Sequence, residues 1–338
     1  MRRRSRSGAG AAIAAAAVIV ASGGAAGGAE VRVGRPVSTY SIVARDPETG
    51  AMGVAVQSHW FSVGSTVSWA EAGVGAVATQ SFVEVSYGPL GLELLRSGKT
   101  ASQALAALLA ADPTPDVRQV AIVDRRGEVA VHTGRRCIAE SGHDTGEQYS
   151  VQANLMEKDT VWGAMAEAYE ASNGDLIDRL LAALDAAQAE GGDIRGKQSA
   201  AILVVPGTSS GAPWRERVVD LRVEDHPDPL GELRRLVAVH RAYQHMNRGD
   251  ERMAENDVER ALDEYSAAAA MQPENVEIRF WQAVTLAGAG RLDDALPVFA
   301  EVFGREPKWR ELVRRLPASG LLPEDPALIE RISTAGQR

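Results

Sequence analysis

The densest run of groups able to do chemistry is Gly191-Gly192-Asp193-Ile194-Arg195-Gly196-Lys197-Gln198-Ser199, which leads directly into an apolar stretch ending at Val205. A carboxylate, a guanidinium, an ammonium, an amide and a hydroxyl at the mouth of a core strand suit the orientation of a substrate carboxylate or the stabilisation of an oxyanion. Arg195 would supply the two-pronged donor. The same run also reads as an ordinary helix stop and turn, since paired glycines end helices. Thr79 and Gln80 close a second apolar stretch, where polar side chains can point into a cleft. His59 and His132 are acid–base candidates, although a satisfied structural histidine is the commoner case. Cys137 is the sole cysteine and reads as a small buried residue in preference to a nucleophile. The sequence contains no phosphate loop, dinucleotide fingerprint or H-x-x-x-H pair. No metal and no cofactor are therefore expected.

These residues need a scaffold, and the chain up to residue 223 alternates two periods. Residues 40–44 and 52–56 flank Asp46-Pro47-Glu48-Thr49-Gly50 and predict a β-hairpin. Residues 63–67 and 73–79 continue the strand character with small and β-branched residues. Residues 89–111 place Leu92, Leu95, Ala101, Leu105, Leu108 and Leu109 at helical spacing, predicting one helix on the sheet. Strands follow at 119–124 and 128–133, helices at 159–171 and 175–190, then strands at 199–205 and 218–223. Strands joined by hairpins with helices interspersed define an α+β fold with an antiparallel sheet.

Composition bounds the partners. The chain has 338 residues, 45% apolar and 24% charged, with a net charge of −9. That is ordinary for a globular protein long enough for two domains. Without a basic stripe, a nucleic-acid partner is not expected. Arg2, Arg3, Arg4 and Arg6 precede an apolar stretch and then Gly27-Gly28-Ala29, the order of a secretory signal peptide over residues 1–29. An exported protein, periplasmic or extracellular, is expected. The apolar stretch is short and alanine-rich, so no stable membrane span is expected after processing. Residues 30–38 form a linker.

His226-Pro227-Asp228-Pro229 marks a second linker at 224–229, and everything beyond it is helical. Ala261, Tyr265, Ala268 and Pro273 recur as Ala295, Phe299, Val302 and Pro307, each displaced by 295 − 261 = 34 residues. This period resembles the tetratricopeptide repeat, with repeats at 242–275 and 276–309 inside a helical domain at 230–338. Such repeats imply a protein partner; a helical appendage that covers the first domain is the other reading. A homo-oligomer is left open.

Residues 39–223 carry a further resemblance. Thr39-Tyr40-Ser41-Ile42-Val43-Ala44, Gly53-Val54-Ala55-Val56, Gly75-Ala76-Val77-Ala78-Thr79-Gln80, Arg118-Gln119, His132-Thr133-Gly134, Asn154-Leu155 and the run 191–201 resemble domain of unknown function family 1028. Its fold is similar to that of N-terminal-nucleophile hydrolases. The resemblance implies a four-layer αββα sandwich in which Thr39 attacks an amide carbonyl, with its own free α-amine as base. Asp193, Arg195 and Ser199 then fall in catalytic roles. Thr79, Gln80, Lys197, Gln198, His59 and Asn154 fall around a small amide or peptide-like substrate. One departure bears on this: after a signal-peptide cut, residues 30–38 still precede Thr39. Either the Ser38–Thr39 bond is cleaved too, or Thr39 is a strand residue only. The competing expectation is a non-catalytic envelope protein that binds a ligand while its repeats recruit a partner.

Overall fold

In a computed structural model, residues 37–337 are described, and the expected leader lies outside them. Among the described residues, ten strands form two antiparallel sheets. The first runs β10-β9-β2-β1-β8-β7 and the second β3-β4-β5-β6. The strands are β1 (Thr39–Arg45), β2 (Met52–Ser58), β3 (Ser68–Glu71), β4 (Gly75–Ser81), β5 (Arg118–Asp124), β6 (Val129–Thr133), β7 (Gly142–Gly146), β8 (Tyr149–Asn154), β9 (Ser199–Val205) and β10 (Val219–Val223). Helices α2 (Tyr87–Arg96) and α3 (Ala101–Ala111) cover the second sheet, while α4 (Val161–Ala171) and α5 (Leu176–Ala189) cover the first. The result is a helix–sheet–sheet–helix stack, the four-layer αββα arrangement.

Strand β1 explains the stacking, because it is buried on both faces. Tyr40, Ile42 and Ala44 point into the cluster under α4 and α5, which holds Leu180 and Leu184. Val43 points between the sheets with Met52, Val54, Val56, Ala76, Ala78, Ala121 and Val123. A third cluster joins Val77, Val120 and Ile122 to Leu92, Leu105 and Leu108 of the covering helices. Since side chains alternate across a strand, a sheet sandwiched on both faces shows little hydrophobic alternation in sequence.

Four local expectations need correction. Residues 64–67 form a single helical turn, α1 (Gly64–Val67), and the strand is β3, which follows it. The helix expected over 89–111 is two helices: Gly98 adopts φ +95° between them, and Thr100 caps α3 in a reciprocal box with Gln103. The hairpin β7–β8 was unforeseen. The linker expected at 224–229 ends one residue early, because Pro229 opens α6 (Pro229–Ala254), 26 residues long, which runs unbroken into the first repeat.

That long helix belongs to two cores. Leu230, Leu233 and Val237 join the apolar cluster of the first sheet, whereas Ala242 and Met246 pack with Tyr265 and Ala268 of α7 (Val258–Met271). The repeat continues through α8 (Val276–Gly288) and α9 (Leu292–Arg305), and α10 (Trp309–Arg315) and α11 (Pro326–Ser333) close the end. The 34-residue period extends to backbone conformation. Asn256 (φ +61°) and Gly290 (φ +79°) occupy the same left-handed turn, 290 − 256 = 34. Gly249 lies so close to Tyr265 that a Cβ there would meet its ring at 3.0 Å. The polar residues of the first repeat are paired: His245 Nδ1 lies 2.7 Å from Glu264, and Arg248 donates to the same carboxylate at 3.1 Å. Among the described residues no helix is long and apolar enough to cross a membrane.

Candidate functional site

The β1–β2 hairpin places Thr39 opposite Ser58, and β8 places Asn154 on its other side. Thr39 is wholly buried. Its hydroxyl donates to Val37 O at 2.9 Å and lies 3.3 Å from Ser58 Oγ. The two residues before it are also buried: Val37 pairs with Ser81 as an isolated bridge, and Ser38 Oγ donates to Asn154 O at 2.9 Å. The peptide carbonyl joining Ser38 to Thr39 has two donors. Ser58 Oγ makes a short hydrogen bond to Ser38 O, and Arg195 Nη2 donates to it at 3.3 Å.

Arg195 arrives there because the segment after α5 is folded back. Gly191 (φ +119°) and Gly192 (φ +67°) are two successive left-handed positions that carry the chain off the helix. Asp193 then bridges to Met156. Its side chain, fully enclosed, accepts Arg195 Nε at 3.1 Å and Nη2 at 2.8 Å, the Arg195 N–H at 2.9 Å, and the His59 N–H at 3.0 Å. A buried carboxylate with this many donors is compensated, and it aims the guanidinium at the Ser38 carbonyl. Burial and then the Asp193 charge push the Tyr40 phenol well above its ordinary pKa. It stays protonated and donates to Gln188 Oε1 at 3.0 Å.

A polar network between the sheets fixes the start of β1. Gln80 Nε2 donates to Thr39 O at 3.3 Å and to Gln119 Oε1 at 2.7 Å, and Asn154 Nδ2 reaches Thr39 O at 3.4 Å and Gln119 Oε1 at 2.9 Å. Ser41 Oγ donates to Gln80 Oε1 and accepts from Gln152 Nε2, both at 2.6 Å. Buried amides linked in this way rigidify what they surround.

The structure therefore brings together Thr39, Asp193, Arg195, Gln80, Asn154 and the backbone of His59. The His59 Nδ1 atom is buried without a hydrogen-bond partner among the described residues. Other expected members lie elsewhere. Thr79 is one residue out of phase with Gln80, so its hydroxyl turns to the other face of β4 and donates to Glu84 O at 3.2 Å. Ser199 Oγ hydrogen-bonds to Trp60 O and accepts from Val63 N at 3.1 Å, which anchors the loop into α1. Lys197 and Gln198 point outward to Asp228 and Asp225, each at 3.1 Å. His132 Nε2 lies 2.9 Å from Pro115 O, away from Thr39. Ser58 and Ser81 were not foreseen. Ser58 was within reach of the sequence: in this hairpin paired residue numbers sum to 97, as in 42 + 55 and 39 + 58. No group of three or more His, Cys, Asp or Glu suited to a metal ion exists among the described residues.

A two-sheet α+β sandwich that encloses a threonine at the head of its central strand, extended by tetratricopeptide repeats, is the class this architecture defines. The model of the family of unknown function DUF1028 matches residues 39–233, and a tetratricopeptide-repeat model matches 246–306. The chain belongs to family DUF1028. The crystal structure of protein SPO2555 from Silicibacter pomeroyi, which carries the same family model, is similar at 34% identity and a TM-score of 0.53. The match covers 59% of this chain and 84% of that one. No curated protein matches.

Proposed function

We propose that this chain is an exported amide-bond hydrolase of the N-terminal-nucleophile type, whose nucleophile Thr39 is uncovered by cleavage of its own Ser38–Thr39 bond. The observation that carries the reading is the Ser38 carbonyl, gripped by Ser58 and Arg195 beside the Thr39 hydroxyl. Two donors aimed at one carbonyl oxygen, one of them cationic, are suited to the charge that develops as the carbon becomes tetrahedral.

In the first turnover, Thr39 Oγ1 attacks the Ser38 carbonyl carbon and the C–N bond breaks as the nitrogen takes a proton. Ser38 is left as an ester on Thr39. Water hydrolyses that ester, releasing the Ser38 carboxylate and leaving Thr39 with a free amine. In later turnovers the amine accepts the hydroxyl proton, Oγ1 attacks a substrate amide, the leaving amine takes the proton, and water again clears the ester. Asp193 holds Arg195 in place throughout. The basic-then-apolar order of residues 1–29 supports export, and the repeats, with a groove of about 500 Å³ between α6 and α8, support recruitment of a protein partner.

A second reading has its own support, since Thr39 is fully enclosed and already hydrogen-bonded. In it the sandwich is a non-catalytic ligand-binding domain of an envelope protein. Mass spectrometry of the N-terminal peptide of protein from its native host decides. The hydrolase reading expects a chain beginning at Thr39. A chain that begins at Glu30 sinks it and leaves the second reading.

A further inference from the structure

The ester formed when Thr39 attacks Ser38 is chemically the same species as the acyl-enzyme of an external substrate whose acyl part ends in Val-Ser. The contacts of Val37 and Ser38 are therefore those of a bound acyl group. From them we infer, resting on the reading of Thr39 as nucleophile, the substrate class of this site. It takes an extended peptide with a small hydroxylated residue before the cleaved amide and a branched apolar residue before that.

Three observations carry this. Val37 N donates to Ser81 O at 2.6 Å and Ser81 N donates to Val37 O at 3.0 Å. A doubled main-chain bridge is how a sheet edge recognises an added strand, and it requires an acyl group with both an N–H and a carbonyl at that position. A fatty acyl chain or an amino-acid side-chain amide offers neither. Ser81 itself stands at φ +69°, a left-handed conformation unusual for a residue with a side chain. Such strain at the end of β4 is tolerated where the surroundings hold it.

The second observation is enclosure. Ser38 is fully buried and its hydroxyl donates to Asn154 O at 2.9 Å. The position is sized for a small side chain and supplies an acceptor for a hydroxyl. The third is the place of Val37, fully buried within the apolar cluster between the sheets that also holds Val43 and Ala121. A charged side chain there would be desolvated without a partner. Ser81 and Asn154 are thus specificity determinants, and neither needs to touch the reacting atoms.

The test uses the matured chain and four coumarin amides: acetyl-Val-Ser, acetyl-Lys-Ser, acetyl-Val-Trp, and acetyl-Val-Ser with a methyl on the valine nitrogen. The expected result is a kcat/KM for the first at least about tenfold above each of the others; the N-methyl compound loses one hydrogen bond of the bridge and adds bulk there. Equal rates for all four would overturn the subsite assignment while leaving the hydrolase reading intact. If none is cleaved, binding of acetyl-Val-Ser carboxylate separates the two ideas. Tighter binding than its N-methyl analogue keeps the subsites and removes the hydrolase, and no binding removes both.

Discussion

Arg195 reaches the Ser38 oxygen while Asp193 holds its Nε and Nη2, so the two residues have separable tests. Arg195→Ala is expected to slow Ser38–Thr39 cleavage by about 10²–10³-fold, followed as intact mass against time, the usual effect of removing one oxyanion donor. Arg195→Lys should recover part of that rate. Asp193→Asn keeps the shape and loses the charge; it should slow cleavage and lower kcat more than it raises KM, and a change confined to thermal stability would count against its positioning role. In the proposed mechanism a freed Thr39 α-amine works as a base only when neutral, which it is above its pKa, ordinarily near about 8. The kcat/KM of the matured chain should rise with pH as that amine loses its proton, through a midpoint near about 8; a flat profile across that range would count against the amine as base. How far such residues could be read in advance depended on what surrounds them. Asp193 and Arg195 stood out as polar groups at the head of an apolar strand. Thr79 and Gln80 looked equivalent, since β4 is buried on both faces and offers no alternation to tell which neighbour faces Thr39.

At the scale of elements, the joint between α3 and β5 is an ion pair that responds to pH. Burial opposes ionisation of Asp112, but hydrogen bonds from Arg118, Thr114 and Tyr87 outweigh it and bring its pKa down to about 2. The sign follows: a depressed carboxyl adds stability that is present above its unfolded pKa near 3.8 and is lost as pH falls toward about 2. Asp112→Asn should flatten the stability curve in that window, as read by thermal melts. Helix α6 makes a second prediction. Leu233 is fully buried against the sandwich, so Leu233→Ala should cost about 2–5 kcal/mol in denaturant unfolding. Unchanged unfolding would show that α6 is only laid on the surface. The elements missed in the sequence share a cause. Strand β7, Gly-His-Asp-Thr-Gly, buries nothing fully and has no apolar face, so its pairing with β8 leaves no period to detect. The break at Gly98 and the Thr100–Gln103 box were legible signals, outvoted by the leucine spacing on either side of them.

For the molecule as a whole, the sandwich and the repeats are not independent pieces on a string. The segment before α6 is tied to the site loop: Lys197 pairs with Asp228, Gln198 donates to Asp225, and His226 N donates to Gln198 O at 2.8 Å. Deleting residues 230–338 removes Leu230, Leu233 and Val237 from the first core, so the remaining fragment should melt at a lower temperature than the intact chain. A deletion of residues 255–338 keeps those three residues and should retain more of that stability; equal melting of the two fragments would contradict this account of the junction. The 34-residue repeat was plain in the sequence because proline, aromatic and small residues recur at fixed offsets. The fusion of its first helix to the sandwich was not, because His226-Pro227-Asp228-Pro229 has the composition of a hinge while Pro229 serves as the first residue of a helix.

Helix α6 is therefore a strut. At 26 residues and a rise of about 1.5 Å each it is roughly 39 Å long, anchored in one core at its beginning and in another at its end. Anything seated on the repeats is presented to the sandwich at one distance and one bearing, as a gauge holds a workpiece. A flexible leash would let whatever the repeats hold sample a sphere; a strut fixes its bearing, so inserting two residues into α6 should swing the repeats by about 200° around the helix axis, whereas a whole added turn should mainly move them about 5.4 Å along it.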